Sequence, residues 1–121
     1  MRAVVVEQPN VVAIRSIQEP DVGPYQALVK VDTCALCNAT DSKLIAGHFP
    51  GVETYPLVLG HEGTGIVCKI GEKVRSFKIG DRAIGGLVFS FAEPDLATGW
   101  GGFCDAVLIN DHDAMVADGV A

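Results

Sequence analysis

The sequence lacks the marks of several large protein classes. No apolar run approaches the ~18 residues that a membrane-spanning helix needs. The apolar stretch in the opening segment Met1-Arg2-Ala3-Val4-Val5-Val6-Glu7 is too short for a secretory signal. There is no basic excess: 9 Lys and Arg stand against 15 Asp and Glu, a net charge of -6. Nucleic acid and anionic membrane surfaces both require a basic footprint, so neither is an expected partner. Internal repeats and low-complexity tracts are absent. The C-x-x-C of Cys34 and Cys37 has no companion C-x-x-C or H-x₃₋₅-H, so a structural zinc knuckle lacks its second ligand pair. No Ser/His/Asp or P-loop arrangement stands out. Gly63-Thr64-Gly65-Ile66-Val67-Cys68 begins like a phosphate-cradling G-x-G-x-x-G. Cys68 replaces its third glycine, however, and the stretch leads into a strand rather than a helix.

What is there is a soluble, globular composition, 49% hydrophobic and 20% charged over 121 residues, enough for one domain with its own core. Four cysteines without a signal point to the cytoplasm, where thiols stay reduced. Short β-rich segments punctuated by Gly and Pro dominate. Ala3–Val6 and Val11–Ile17 read as paired strands around a turn at Gln8-Pro9-Asn10. Ala27–Cys34 alternates, with Val29, Val31 and Thr33 on one face and Lys30 and Asp32 on the other. Cys34 falls on the Lys30 side. Asn38 to Ala46 reads as a short helix with Asn38 as N-cap and Gly47 as stop. Gly65–Ile70 places Ile66, Cys68 and Ile70 on one apolar face, which makes Cys68 a small buried hydrophobe. Further strands are expected at Ala83–Val88, Phe103–Ile109 and Ala114–Val116, with a loop from Glu93 to Gly102. Cys104 reads as a packed side chain, and His48 and His112 as exposed loop residues. Many short strands suggest a barrel or sandwich.

Three uses of the first cysteine pair are open. A thiol redox protein would use Cys34 and Cys37 together, yet the predicted helix starts after Cys37, so only that thiol gains the helix field. A degenerate, metal-free module would use neither. A metal site would combine Cys37 with Gly60-His61-Glu62-Gly63, because zinc takes sulfur, imidazole nitrogen and carboxylate oxygen. On spacing alone, ordinary core or surface roles for Cys37 and His61 outweigh a ligand role.

The flanks change that balance. Ala27–Asp41, with its Cys…Thr-Asp motif, Gly47-His48-Phe49-Pro50, Pro56–Gly65 around G-H-E-G, Val67–Arg82 ending in F-K-x-G-D-R, and Gly101-Gly102-Phe103 run nearly end to end. In that order they resemble the N-terminal, GroES-like catalytic domain of medium-chain zinc-dependent alcohol and polyol dehydrogenases. The resemblance implies a mainly β fold with short helices, a GroES-like partly open β-barrel, over residues 1–121. It implies that Cys37 and His61 are ligands of one catalytic Zn²⁺, with Glu62 an acidic neighbour able to enter the metal shell. Asp41 would orient the ligating histidine. Thr40 would relay the alcohol proton, and Phe49 would wall the substrate pocket. The implied reaction oxidises an alcohol, polyol or sugar, with hydride passing to NAD or NADP.

Four departures accompany the resemblance. Cys37 stands four residues before Asp41, where the family motif has three, and Lys43 stands where many members carry a relay histidine. Leu87–Gly102 holds no cysteine, so no structural zinc is expected. The dinucleotide-binding domain and the third zinc ligand are expected outside these residues. The expectation is therefore a domain that is inactive alone and binds zinc weakly or not at all, drawn from a full-length protein that is a homo-oligomer.

Overall fold

The computed structural model describes residues 1–121. In chain order the elements are β1 (Arg2–Gln8), β2 (Val11–Ser16), β3 (Gln26–Ala35), α1 (Thr40–Ala46), β4 (Leu57–Val58), β5 (Glu62–Ile70), β6 (Arg82–Ile84), β7 (Ala97–Thr98), β8 (Ala106–Asn110) and α2 (His112–Ala117). They form two four-stranded sheets, ordered β2-β1-β4-β7 and β6-β5-β3-β8. A bridge between Ala3 and Cys104, with Val4 N–H donating to Phe103 O at 2.9 Å, ties the sheets along one side without closing them. This is the expected mainly β, partly open GroES-like barrel.

The run Ala3-Val4-Val5-Val6 explains how two cores share one strand. Successive side chains in a strand face opposite ways. Val5 therefore enters the core between the sheets, with Val29, Val58, Val67, Val88 and Val107. Val6 faces the other way, onto Leu44, Leu57 and Leu59. Leu44 is the buried apolar residue of α1 that docks the helix on this second cluster. Burying such a leucine contributes about 2 kcal/mol.

Long strand β3 carries two irregularities against β5. Leu28 pairs with Lys69 and Val29 with Val67, so Cys68 is an extra residue in β5. Val31 pairs with Gly65 and Thr33 with Thr64, so Asp32 is an extra residue in β3. A bulge shifts the side-chain parity beyond it. Cys68 is consequently exposed rather than buried beside Ile66 and Ile70. Parity from Val29 likewise ends at Asp32, and the alternation that would seat Cys34 with Lys30 and Asp32 fails. Cys104 is buried as expected, and burial pushes its thiol up to about 12.

Three other elements differ from the sequence reading. The strand expected at Ala83–Val88 stops at Ile84, because Gly85 turns at φ 74° and only Leu87 bridges back to Leu108. The regular ladder of the last strand begins at Ala106, not Phe103. Ala114–Val116 is helical: Asp111 caps α2 by accepting the Ala114 N–H at 3.0 Å. That carboxylate also accepts the Arg75 and Ser76 N–H groups at 2.8 and 2.9 Å, fastening the helix to the Lys73–Ser76 turn. Burial pushes the Asp111 carboxyl up, but the hydrogen bonds from Arg75, Ser76 and Ala114 outweigh it and hold the group well below the usual carboxylate range.

Candidate metal centre

β3 ends at Ala35, and the chain then delivers Cys37 to a tight turn that opens α1. Asp41 N–H donates to Cys37 O at 3.0 Å, closing one helical turn over the residues between them. This turn accommodates the additional residue of the Cys37–Asp41 spacing. Helix α1 starts at Thr40 after Ala39, whose side chain makes no cap, so Asn38 is not the N-cap. Asp41 takes over instead: its Oδ2 accepts the Cys37 N–H at 2.8 Å. Thr40 N–H in turn donates to Cys37 Sγ at 3.4 Å. That backbone hydrogen bond holds the Cys37 thiol below its ordinary pKa. At the far end Gly47 adopts φ 79°, the left-handed C-terminal stop that the sequence predicts.

His61 and Glu62 arrive from the start of β5. Gly60 precedes them at φ 104°, and a Cβ there would lie 2.5 Å from the Phe103 ring, so glycine alone fits. His61 Nδ1 faces Asp41 Oδ1 at 3.5 Å, and its Nε2 faces Glu62 Oε1 at 3.8 Å. Cys37 Sγ completes a group whose donor atoms all lie within 4.8 Å of one another. Cys37 and His61 are half-buried, and Glu62 is exposed.

The donor set and its surroundings fit zinc. A tetrahedral shell with bonds of ~2.0–2.3 Å separates its ligand atoms by about 3.3–3.8 Å. The His61–Glu62 approach already lies at that limit, and the remaining separations are within 4.8 Å. Buried Asp41 Oδ1 and His61 Nδ1 are the second indication, because neither has a hydrogen-bond partner. Buried polar atoms are normally paired, so an unpaired couple facing each other marks an unfinished arrangement. A ligand on Nε2 fixes the proton on Nδ1, where Asp41 can accept it.

Phe49 is half-buried in the smaller core, with its ring edge-to-face against Trp100 at 5.2 Å and 75°. Trp100 is the neighbour that reaches the centre, its ring centroid 6.1 Å from that of His61. In the sequence Trp100 falls within the loop expected from Glu93 to Gly102, which conceals it. Its signal was there: the sole tryptophan, flanked as Gly99-Trp100-Gly101-Gly102. Trp100 sits at φ 76°, unusual for a bulky side chain, and its carbonyl accepts the Val88 N–H at 3.0 Å. Cys34 is not part of the cluster. Its thiol donates to Gly102 O at 3.8 Å while Cys37 receives Thr40, so the two sulfurs engage different partners.

A mainly β, partly open barrel with Cys, His and Glu donors gathered at one end defines a GroES-like domain with a candidate metal site. The chain belongs to the alcohol dehydrogenase GroES-like domain family, which matches residues 23–118. It is 38% identical over 80 residues to an alcohol dehydrogenase of Geobacillus stearothermophilus, a match covering 66% of this chain and 23% of that protein. A sorbitol dehydrogenase of Bombyx mori is 38% identical over 82 residues, again covering 66% and 23%. Among solved structures, a provisionally named zinc-binding dehydrogenase of Sinorhizobium meliloti 1021 bound to NADP superposes with a TM-score of 0.71. That match has 32% identity and covers 92% of this chain and 36% of the other. The chain thus spans about a quarter of the length of the curated relatives it matches. No helix is long and apolar enough to cross a membrane.

Proposed function

We propose that residues 1–121 are the zinc- and substrate-binding domain of an oxidoreductase that converts an alcohol, polyol or sugar to a carbonyl compound. NAD or NADP takes the hydride and is held by a dinucleotide-binding domain outside these residues. One observation carries the reading: Cys37, His61 and Glu62 converge within 4.8 Å beside a buried, half-paired Asp41. The names of the alcohol and sorbitol dehydrogenase relatives support the reaction class, and the NADP-bound neighbour supports the cofactor class.

In this reading Cys37, His61 and Glu62 hold a single Zn²⁺, and the cysteine-free Leu87–Gly102 stretch offers no structural zinc site. Zinc supplies Lewis-acid polarisation of the substrate oxygen when bound. Asp41 fixes the Cys37 backbone through Oδ2 and steers the His61 ring through Oδ1. Thr40 stabilises the Cys37 sulfur through its backbone N–H and offers its hydroxyl to receive the substrate's proton. Trp100 and Phe49 form an aromatic wall on the His61 side, which excludes water from that approach. The centre is open at the surface, so the domain is inactive until the cofactor domain covers it. The full-length protein is a cytoplasmic homo-oligomer in this reading.

Cobalt(II) titration followed by absorbance tests the ligand assignment. A thiolate-to-cobalt charge-transfer band is expected in the unaltered protein and in Cys34→Ser, with its loss in Cys37→Ser and His61→Ala. A band that survives Cys37→Ser, or one abolished by Cys34→Ser, overturns it.

A further inference from the structure

Two non-glycine residues have positive φ, Asn10 at 68° and Trp100 at 76°. Asn10 lies in the turn between β1 and β2, and asparagine tolerates this conformation. Tryptophan does not, because a bulky side chain there is strained. Such strain persists only where the surrounding structure fixes it, and it collects at functional sites.

The surroundings of Trp100 are the residues that lead into His61. Gly99 and Gly101 donate their N–H groups to Val58 O at 2.6 and 3.2 Å. Gly102 donates to Gly60 O at 2.7 Å, and Phe103 to Leu59 O at 2.8 Å. On the other side, Trp100 O accepts the Val88 N–H at 3.0 Å. The indole and the imidazole are therefore carried on two segments laced to each other, and neither backbone shifts alone.

The imidazole is loosely held at its edges. Rotation about its Cβ–Cγ bond is soft. Nδ1 stands 3.5 Å from Asp41 Oδ1, and Nε2 stands 3.8 Å from Glu62 Oε1. Both separations exceed those of a good N–H···O hydrogen bond. Its aromatic packing neighbour is Trp100, with centroids 6.1 Å apart and planes at 52°, inside the range of favourable aromatic pairs. Phe49 holds the indole in turn, edge-to-face at 5.2 Å.

We propose that Trp100 is a positioning residue, whose left-handed backbone aims the indole so that it sets the plane of the His61 ring before metal arrives. Asp41 then has only the Nδ1 proton to fix. Ordering a ligand in advance raises affinity, because binding no longer bears the cost of immobilising it. The benefit to metal rests on the zinc reading; the restraint on the ring does not.

The test has two arms. Trp100→Asn removes the ring while keeping a side chain that tolerates φ 76°. Trp100→Gly, which meets no steric penalty there, should repeat its result, and Trp100→Phe keeps an aromatic face. In metal-free protein with ¹³C-labelled imidazoles, relaxation should report a restrained His61 ring in the unaltered chain and in Trp100→Phe. In Trp100→Asn that ring should approach the freedom of the exposed His48 and His112. Amide dispersion in the same samples establishes that each variant is folded. Cobalt(II) affinity should fall about tenfold in Trp100→Asn and largely recover in Trp100→Phe. The saturated Trp100→Asn complex should keep its thiolate-to-cobalt band, since Cys37 is untouched. A His61 ring equally restrained in Trp100→Asn and the unaltered chain overturns the inference. So does unchanged cobalt affinity, or an equal loss in Trp100→Asn and Trp100→Phe. Failure of the unaltered protein to bind cobalt contradicts the zinc reading instead, and the relaxation arm then decides the role of Trp100 alone.

Discussion

Two aspartates are almost completely shielded from solvent, Asp41 at one end of the barrel and Asp111 at the other. Asp111 is finished: its oxygens accept three backbone N–H groups, from Arg75, Ser76 and Ala114. Asp41 is not. One oxygen holds the Cys37 N–H at 2.8 Å, and the other faces an equally unpartnered His61 nitrogen at 3.5 Å. A carboxylate that serves only the fold has its hydrogen bonds complete within the fold. A carboxylate that leaves one oxygen for an imidazole, itself beside a thiol and a second carboxylate, has its completion deferred to a ligand.

The largest effect expected from breaking this contrast lies at the centre itself. Cys37→Ser should weaken cobalt or zinc binding on the order of a thousandfold, with the thermal midpoint unchanged, measured by competition with a chromogenic chelator. Asp41→Asn comes next: it keeps the shape of the side chain but no longer draws the Nδ1 proton as a carboxylate does. Metal affinity should fall ~10–100-fold. Asp111→Ala should do the reverse, leaving metal affinity intact and lowering the thermal midpoint by roughly 5–10 °C through loss of the α2 cap and its turn contacts.

The pH dependence of Asp111 sharpens the same point. Its folded-state pKa is depressed, so its contribution is fully present above the ordinary carboxylate value of 3.8 and is lost as pH falls from there through the folded value. Acid unfolding of Asp111→Ala should therefore be shallower below about pH 4 than that of the unaltered protein. The smallest effect belongs to Cys68→Ser, at an exposed bulge position: within about 0.5 kcal/mol in denaturant unfolding, and without influence on metal. Had Cys68 been the buried hydrophobe of the simple alternation, the same change would cost clearly more.

These residues also separate what was legible in the chain from what was not. Alternation located β1, β2, β3 and β5, and glycine placed the end of α1, because period and φ are local properties. Bulges are not local. Cys68 and Asp32 look like ordinary alternating positions until β3 and β5 pair, and only the pairing reveals one residue too many on each. Part of helix α2 reads as a strand for a similar reason. Its Ala-Met-Val run is apolar enough for either, and the deciding cap depends on Asp111 being buried against a turn some 35 residues earlier. At the centre, the G-H-E-G and Cys…Thr-Asp motifs point to the two segments that the structure brings together, but their convergence needs the strand geometry. The additional residue between Cys37 and Asp41 was visible as a departure; its absorption into one helical turn was not. Trp100 was hidden because a tryptophan among glycines reads as a loop until the loop folds against His61.

The central claim is that Cys37, His61 and Glu62 form one metal shell and that Cys34 stands outside it. X-ray absorption at the zinc edge, with protein in large excess over metal, measures that shell directly. The expected spectrum contains one sulfur at ~2.3 Å with the remaining nitrogen and oxygen ligands at ~2.0–2.2 Å. Two sulfurs would restore the Cys34–Cys37 pair as the ligand unit, and none would remove Cys37 from the site; either result contradicts the assignment.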